Sequence, residues 1–153
     1  MTELQIGDIA PDFELLNQDG VKISLKDFLG KKIVLYFYPK DNTPGCTLQA
    51  CDFTKFYDEF LSKNAVIIGI SPDSIKSHEN FMQKYDLKHI LLSDSEKEVC
   101  KKYGVWGLKK NYGKEYEGLI RSTFVLDENG IIKNIYKNVK TKEHALKVLN
   151  ELC

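Results

Sequence analysis

The sequence predicts an α/β domain: a central mixed β-sheet with helices on both faces and a β-hairpin extension at its N-terminus. Three observations predict it. Two apolar, β-rich runs, KIVLYFY at 32–38 and AVIIGIS at 65–71, have the unbroken character of strands buried on both faces. A stretch of helical periodicity lies between them, which is what a parallel pair requires as its crossover. After them, a Glu-Asn-Gly turn joins RSTFVLD to IIKNIYK and predicts an antiparallel hairpin, so the sheet is mixed.

Each element follows from local chemistry. DFELLNQDGVKISL, at 12–25, reads as two short strands around an Asn-Gln-Asp-Gly turn, and KDFLG as one helical turn ended by Gly30. Pro39 closes the first central strand, because proline cannot donate to the ladder. From Pro44 the apolar positions Phe53, Phe56, Tyr57, Phe60 and Leu61 recur as the stripe of one amphipathic helix. Thr43 suits its cap and Pro44 its first turn. A helix over 74–85, a short strand at ILLSD and a helical turn or two in SEKEVCKKYG come next. TKEHALKVLNEL is the last helix, with Thr141 as its expected cap. Strand-helix-strand-helix-strand, hairpin, helix is a thioredoxin-like arrangement, and the 153 residues form a single domain.

Composition excludes several function classes. The chain carries 22 basic and 22 acidic side chains, so bulk charge recruits neither nucleic acid nor a membrane surface. MTELQIGDIA has no basic region followed by an apolar one, and the apolar runs are strand-sized, so a cytoplasmic protein is expected. The three histidines, His78, His89 and His144, lie far apart and read as surface or packing residues. Neither a metal site nor a cofactor is expected. The four cysteines, Cys46, Cys51, Cys100 and Cys153, are too few and too unevenly spaced for a disulfide scaffold.

Cys46 carries the chemistry. It follows a Thr-Pro-Gly turn at a helix N-terminus, where unpaired N–H groups and a partial positive charge favour thiolate over thiol. Cysteines so placed have pKa values lowered from about 8.5 into roughly the 3.5–7.5 range. Thr43 offers a hydroxyl that can donate to the sulfur or to a substrate oxygen. The backbone around Gly45 and Cys46 supplies further donors.

YPKDNTPGCT holds Pro39, Thr43 and Cys46 at a Pro-x-x-x-Thr-x-x-Cys spacing that resembles the peroxiredoxins. The continuation TLQAC, the stretch YGVWGLKKNYGKEYEGLIRSTFVLDENG and the opening GDIAPDFEL are similar to the bacterioferritin-comigratory, or Q-type, subgroup. The resemblance covers almost the whole chain. It implies that Cys46 is the peroxidatic cysteine, that Thr43 and Arg121 complete its pocket, and that Pro39 screens it from water. On the residues alone, Arg121 is a surface charge at a strand start. The implied activity is reduction of hydrogen peroxide and organic hydroperoxides, with thioredoxin as reductant. Complete ionisation of Cys46 accelerates its attack only about 30-fold, so the larger share must come from groups that stabilise charge as the O–O bond breaks.

The five-residue spacing to Cys51 sets a condition. On an α-helix the two residues stand about 7.5 Å apart along the axis and about 140° around it, roughly 8.7 Å between Cα atoms. A disulfide needs less than about 7 Å, so resolution by Cys51 requires the helix to unwind. Cys153, a cysteine near a chain end, and a mechanism without a resolving cysteine are the alternatives, while Cys100 reads as buried. Gln49 stands where the subgroup often has Glu, and Thr54-Lys55 where it often has Arg-Asp. Trp106 reads as a packing residue. A disulfide oxidoreductase is the first rival, but no CxxC exists here; a redox sensor or chaperone without turnover is the second. The lack of an evident C-terminal arm favours a monomer over a homodimer.

Overall fold

The computed structural model describes residues 3–111 and 113–152. Its strands are β1 (Glu14–Asn17), β2 (Lys22–Ser24), β3 (Lys32–Phe37), β4 (Ala65–Ser71), β5 (Ile90–Ser93), β6 (Trp106–Asn111), β7 (Lys114–Leu119), β8 (Ser122–Leu126) and β9 (Ile132–Tyr136). Its helices are α1 (Pro44–Lys55), α2 (Tyr57–Ser62), α3 (Ile75–Tyr85), α4 (Glu98–Lys102) and α5 (His144–Glu151). Seven strands form one sheet in the order β2-β1-β5-β4-β3-β8-β9. β3, β4 and β5 run parallel; β8 joins β3 antiparallel and carries β9. The N-terminal hairpin extends the other edge through β1 and β5. The mixed α/β sheet expected from sequence is the sheet observed.

β3 reads as a continuous apolar run because both of its faces are covered. Ile33, Leu35 and Phe37 enter one core with Ile68, Ile70, Phe124 and Tyr103. Val34, Tyr36 and Tyr38 enter a second, with Phe53, Phe60, Phe81 and Val148 from α1, α2, α3 and α5. Gly69 is required on that second face. A β-carbon there would stand 2.7 Å from Tyr36 Cζ, so only glycine lets the ring lie flat against β4.

Two expectations are corrected and two readings are completed. The single amphipathic helix after Pro44 is two helices, α1 and α2, with Phe56 as the joint between them. Phe53 and Phe60, on either side of the break, are both in the core, and Leu61 is exposed. α5 begins at His144 rather than after a Thr141 cap; its N-cap position is Glu143 in left-handed geometry. YGVWGLKKNYGKEYEGLI holds a second hairpin, β6–β7, paired from Trp106↔Leu119 to Asn111↔Lys114, which the sequence reading left unassigned. Of the two readings the sequence left for the histidines, surface or packing, the structure takes packing. His78, His89 and His144 are all buried, each with hydrogen-bond partners.

Candidate active site

Register brings the site together. The last residue of β3, Phe37, pairs with Ile70 of β4 on one side and Ser122 of β8 on the other. Arg121 therefore precedes β8 at the carboxyl end of β3, where the chain turns into α1. Cys46 is the third residue of α1, after Pro44 and Gly45, so the helix begins two residues ahead of the thiol. The first main-chain bond of the helix runs from Thr47 N to Thr43 O, 2.8 Å. The N–H groups of Gly45 and Cys46 fall in the turn that has no intrahelical acceptor.

Cys46 is a free thiol, 1% exposed. Arg121 Nη2 donates to its sulfur at 3.2 Å, and Nη1 donates to Gln49 Oε1 at 2.7 Å. Gln49 lies one turn beyond Cys46 on the same buried face and holds the guanidinium from behind. Its Nε2 is buried and has no hydrogen-bond partner among the described residues. Beneath the helix lies Tyr36, stacked on Phe53 at 4.7 Å between centroids, with its hydroxyl 2.6 Å from His89 Nε2. Burial pushes the Tyr36 phenol well above its ordinary range, and the neighbouring Cys46 adds to the shift. Tyr36 is thus a neutral floor to the site.

Thr43 occupies the N-cap position, but its hydroxyl does not cap the helix. It donates to the Lys40 carbonyl at 2.9 Å, which closes the turn ahead of α1. In this state the proton expected to face sulfur or substrate is committed to the loop. Pro39 is half-buried just past the end of β3.

Cys51 is a free, half-buried thiol within the intact α1. Burial raises its pKa above the ordinary thiol value, and Asp52 raises it further. Cys100 is fully buried under Asp94, and its thiol is pushed far up by that burial. Cys153 lies outside the described residues. Trp106 is partly buried against the first core, with the Lys97 ammonium 5.1 Å from its ring centroid. Thr54 fastens the rear of α1: its hydroxyl lies 3.3 Å from both His89 Nδ1 and Lys88 N.

Sequence reasoning missed a buried polar network in the loop that leads to Cys46. Asp41 accepts from Tyr38 at 2.6 Å and from Ser77 at 2.8 Å, and its Oδ2 lies 2.6 Å from His78 Nδ1. His78 Nε2 faces the Leu92 carbonyl at 3.0 Å. A carbonyl only accepts, so that nitrogen carries a proton. Asp41 N donates to the Asp73 carboxylate, tying the loop to the end of β4 as well. Asp41 lay inside the quoted motif, but no local pattern pairs it with a histidine 37 residues on.

Among the described residues no helix is long and apolar enough to cross a membrane, and no group of three or more His, Cys, Asp or Glu is placed to hold a metal ion.

Comparison with known proteins adds to this geometry. The AhpC/TSA family matches residues 6–135. The chain is 53% identical over 152 residues to the putative peroxiredoxin bcp of Helicobacter pylori, covering 99% of this chain and 100% of that one. It is 48% identical over 149 residues to peroxiredoxin Bcp of Bacillus subtilis, covering 97% and 95%. Among solved structures it is similar to the Xanthomonas campestris bacterioferritin comigratory protein, studied for alkyl peroxide reduction, with a TM-score of 0.90 at 38% identity over 97% of this chain and 95% of that chain.

Proposed function

This chain belongs to the AhpC/TSA family, among relatives named peroxiredoxin Bcp, and from that premise we propose that it reduces hydroperoxides through Cys46 and resolves the product through Cys51. One observation carries the reading: the Arg121 guanidinium lies 3.2 Å from the Cys46 sulfur. The thiolate attacks one oxygen of ROOH, the O–O bond breaks, and RO⁻ leaves to take a proton as ROH. Cys46 becomes a sulfenic acid. Arg121 and the free N–H groups of the first helical turn face the oxygen on which negative charge grows. Thr43 serves by shaping the turn, and Pro39 and Gly45 line the approach.

The second step is an exchange. The Cys51 thiol displaces the sulfenic oxygen as water and forms a Cys46–Cys51 disulfide. The five-residue spacing within an intact α1 puts the first turns of the helix in the way, so they unwind before the sulfurs meet. The bridged form then takes two electrons from a dithiol protein such as thioredoxin and returns to the free thiols. Both cysteines come from one chain, so a monomer suffices.

The test is NADPH oxidation coupled through thioredoxin reductase and thioredoxin, with hydrogen peroxide and an organic hydroperoxide in turn. The parent protein turns over, Cys46→Ser is inactive, and Cys51→Ser consumes a single equivalent and then stalls. Stoichiometric oxidation without turnover in the parent would favour a redox sensor or chaperone instead.

A further inference from the structure

The chain carries no net formal charge, but the segment KNVKTKEHALK at 137–147 holds four lysines against one glutamate. All four line a groove of about 620 Å³. Lys140, Lys142 and Lys147 are exposed, and among the described residues neither Lys140 nor Lys142 forms an ion pair. Glu143 and Glu151 also line the groove, so four lysines stand against two glutamates and the surface is net basic. Its place in the fold follows α1. Thr141, between Lys140 and Lys142, stands against the residue ahead of the thiol: a β-carbon on Gly45 would lie 3.7 Å from Thr141 Oγ1. Val139 N donates to Arg121 O at 3.0 Å, which ties the same loop to the site. Further along, His144 sets the edge of its ring against Phe53, 6.2 Å between centroids. The groove therefore borders α1 from Gly45 to Phe53, the stretch that contains both Cys46 and Cys51.

Resolution unwinds that stretch, and the reductant must then reach a disulfide formed within it. We propose that the lysine groove is the docking surface for the reductant, a dithiol protein that carries acidic side chains around its thiols. This rests on the reading of Cys46 and Cys51 as the pair that bridges. A second copy joined about a two-fold axis would set this net basic surface against itself. A small anion needs buried donors, and His144, the one buried residue of the lining, has its Nε2 engaged by the Thr123 hydroxyl at 2.9 Å. An acidic protein face needs only exposed cations, whose field steers its approach to the helix beside them. The step that follows is thiol–disulfide exchange. One partner thiolate attacks a sulfur of the Cys46–Cys51 bond, and the second partner sulfur then closes the partner's own disulfide. Two electrons and the partner's two thiol protons end on Cys46 and Cys51.

The experiment follows hydrogen peroxide turnover with two reductants: a thioredoxin of net negative charge, and dithiothreitol, which is small and uncharged. The parent is compared with Lys140→Glu/Lys142→Glu and with Lys140→Arg/Lys142→Arg. Lys26→Glu/Lys31→Glu makes the same charge change ahead of the start of β3, at its other end from Cys46. In Lys140→Glu/Lys142→Glu, kcat/KM for thioredoxin is expected to fall about 10-fold at low salt, through KM, with dithiothreitol turnover unchanged. The arginine pair and the distant pair hold the parental value within about twofold. Raising ionic strength from about 0.02 M to about 0.3 M should lower the parental value for thioredoxin and close the gap to the glutamate pair, a measurement the parent alone begins. A parental kcat/KM for thioredoxin in the glutamate pair, or an equal loss with dithiothreitol, overturns the proposal. So does a parental dimer that dissociates in the glutamate pair, or competition by inorganic phosphate at constant ionic strength, because either gives the groove another occupant. Peroxide consumption undiminished in Cys46→Ser, with either reductant, would instead overturn the reading on which it rests.

Discussion

Arg121 Nη2 stands 3.2 Å from Cys46 Sγ although 75 residues separate the two in the chain. The antiparallel register of β8 on β3 sets that approach, and Gln49 fixes its angle by taking the other guanidinium nitrogen at 2.7 Å. An arginine held in this way presents one nitrogen to the sulfur at an angle set by the other, which the point charge of a lysine does not reproduce.

Arg121→Ala is therefore expected to slow the peroxide step well beyond 30-fold, the most that ionisation of a thiol supplies. Arg121→Lys should recover little of that loss. Stopped-flow fluorescence of Trp106, or direct competition for peroxide, measures the step, and a near-parental rate would remove Arg121 from the transition state.

Gln49→Met separates aim from charge. It deletes the acceptor for Arg121 Nη1 and also removes a buried, unpartnered amide nitrogen. A hydrogen bond to a charged group is worth about 1.5–3 kcal/mol, while an orphaned buried donor costs a similar amount. The peroxide rate should drop about 10-fold while unfolding free energy moves by less than about 1 kcal/mol. A large loss of stability with no loss of rate would assign Gln49 to packing.

Resolution should speed up with pH. Only the thiolate attacks, and once α1 unwinds Cys51 leaves the burial that raises it in the wound helix, so the resolving group is an ordinary thiol, mostly protonated at neutral pH. Between pH 6 and 8 the rate of disulfide formation should rise close to 10-fold per unit. The check is the tryptic peptide DNTPGCTLQACDFTK, which spans both cysteines and becomes lighter by two hydrogens when they bridge. A cross-link to the Cys100 or Cys153 peptide would refute the pairing.

His78→Ala leaves the Asp41 carboxylate buried with one partner fewer. Losing one hydrogen bond to a charged group costs about 1.5–3 kcal/mol, and Tyr38 and Ser77 still donate to Asp41. Because Asp41 fixes the loop from Lys40 to Thr43, the peroxide step should slow too. Denaturant titration reads the first effect. A fully stable His78→Ala variant would show that the pair contributes nothing net.

Acid should destabilise the fold well above the carboxylate range. Burial lowers the His89 pKa from 6.5 to about 3, so the folded state refuses a proton that the unfolded chain takes up below pH 6.5. Its contribution is intact above pH 6.5 and is lost progressively between pH 6.5 and 3, at about 1.4 kcal/mol per unit. His144, lowered by burial to about 4, acts in the same direction, while the raised carboxyl of Asp73 opposes it. Urea midpoints of the reduced protein at pH 7, 6 and 5 should fall in step. His89→Gln should flatten the slope even as it weakens the fold at pH 7.

The strands of the seven-stranded sheet, the α3 and α4 positions, the two hairpins flanking the parallel core and the thiol at the head of α1 were all legible, because each rests on local periodicity or turn chemistry. What failed was either medium-range or invisible to hydropathy. One stripe from Phe53 to Leu61 looked continuous because Phe53 and Phe60, seven residues apart, share a face whether or not the helix is interrupted, so periodicity does not register the break at Phe56. β6–β7 went unread because its strands are rich in Lys and Glu and form a separate two-stranded sheet. Thr43 was rightly placed at the cap, but the turn it closes competed successfully for its hydroxyl.

By itself the sequence determined a mixed α/β sheet, a thiol in the first turn of a helix and a second thiol it cannot meet while that helix is wound. Those are consequences of period, proline and helix geometry, all of which act over a few residues. The tertiary structure alone decided that Arg121 is a neighbour of Cys46 rather than a surface charge, that Gln49 holds it, that Asp41 and His78 pair beneath the loop, and that Thr141 stands against Gly45. Each of those contacts spans a strand pairing or a helix packed on the sheet. Only the register of β8 against β3 and the seating of α1, α3 and α5 on one face bring such distant residues within reach.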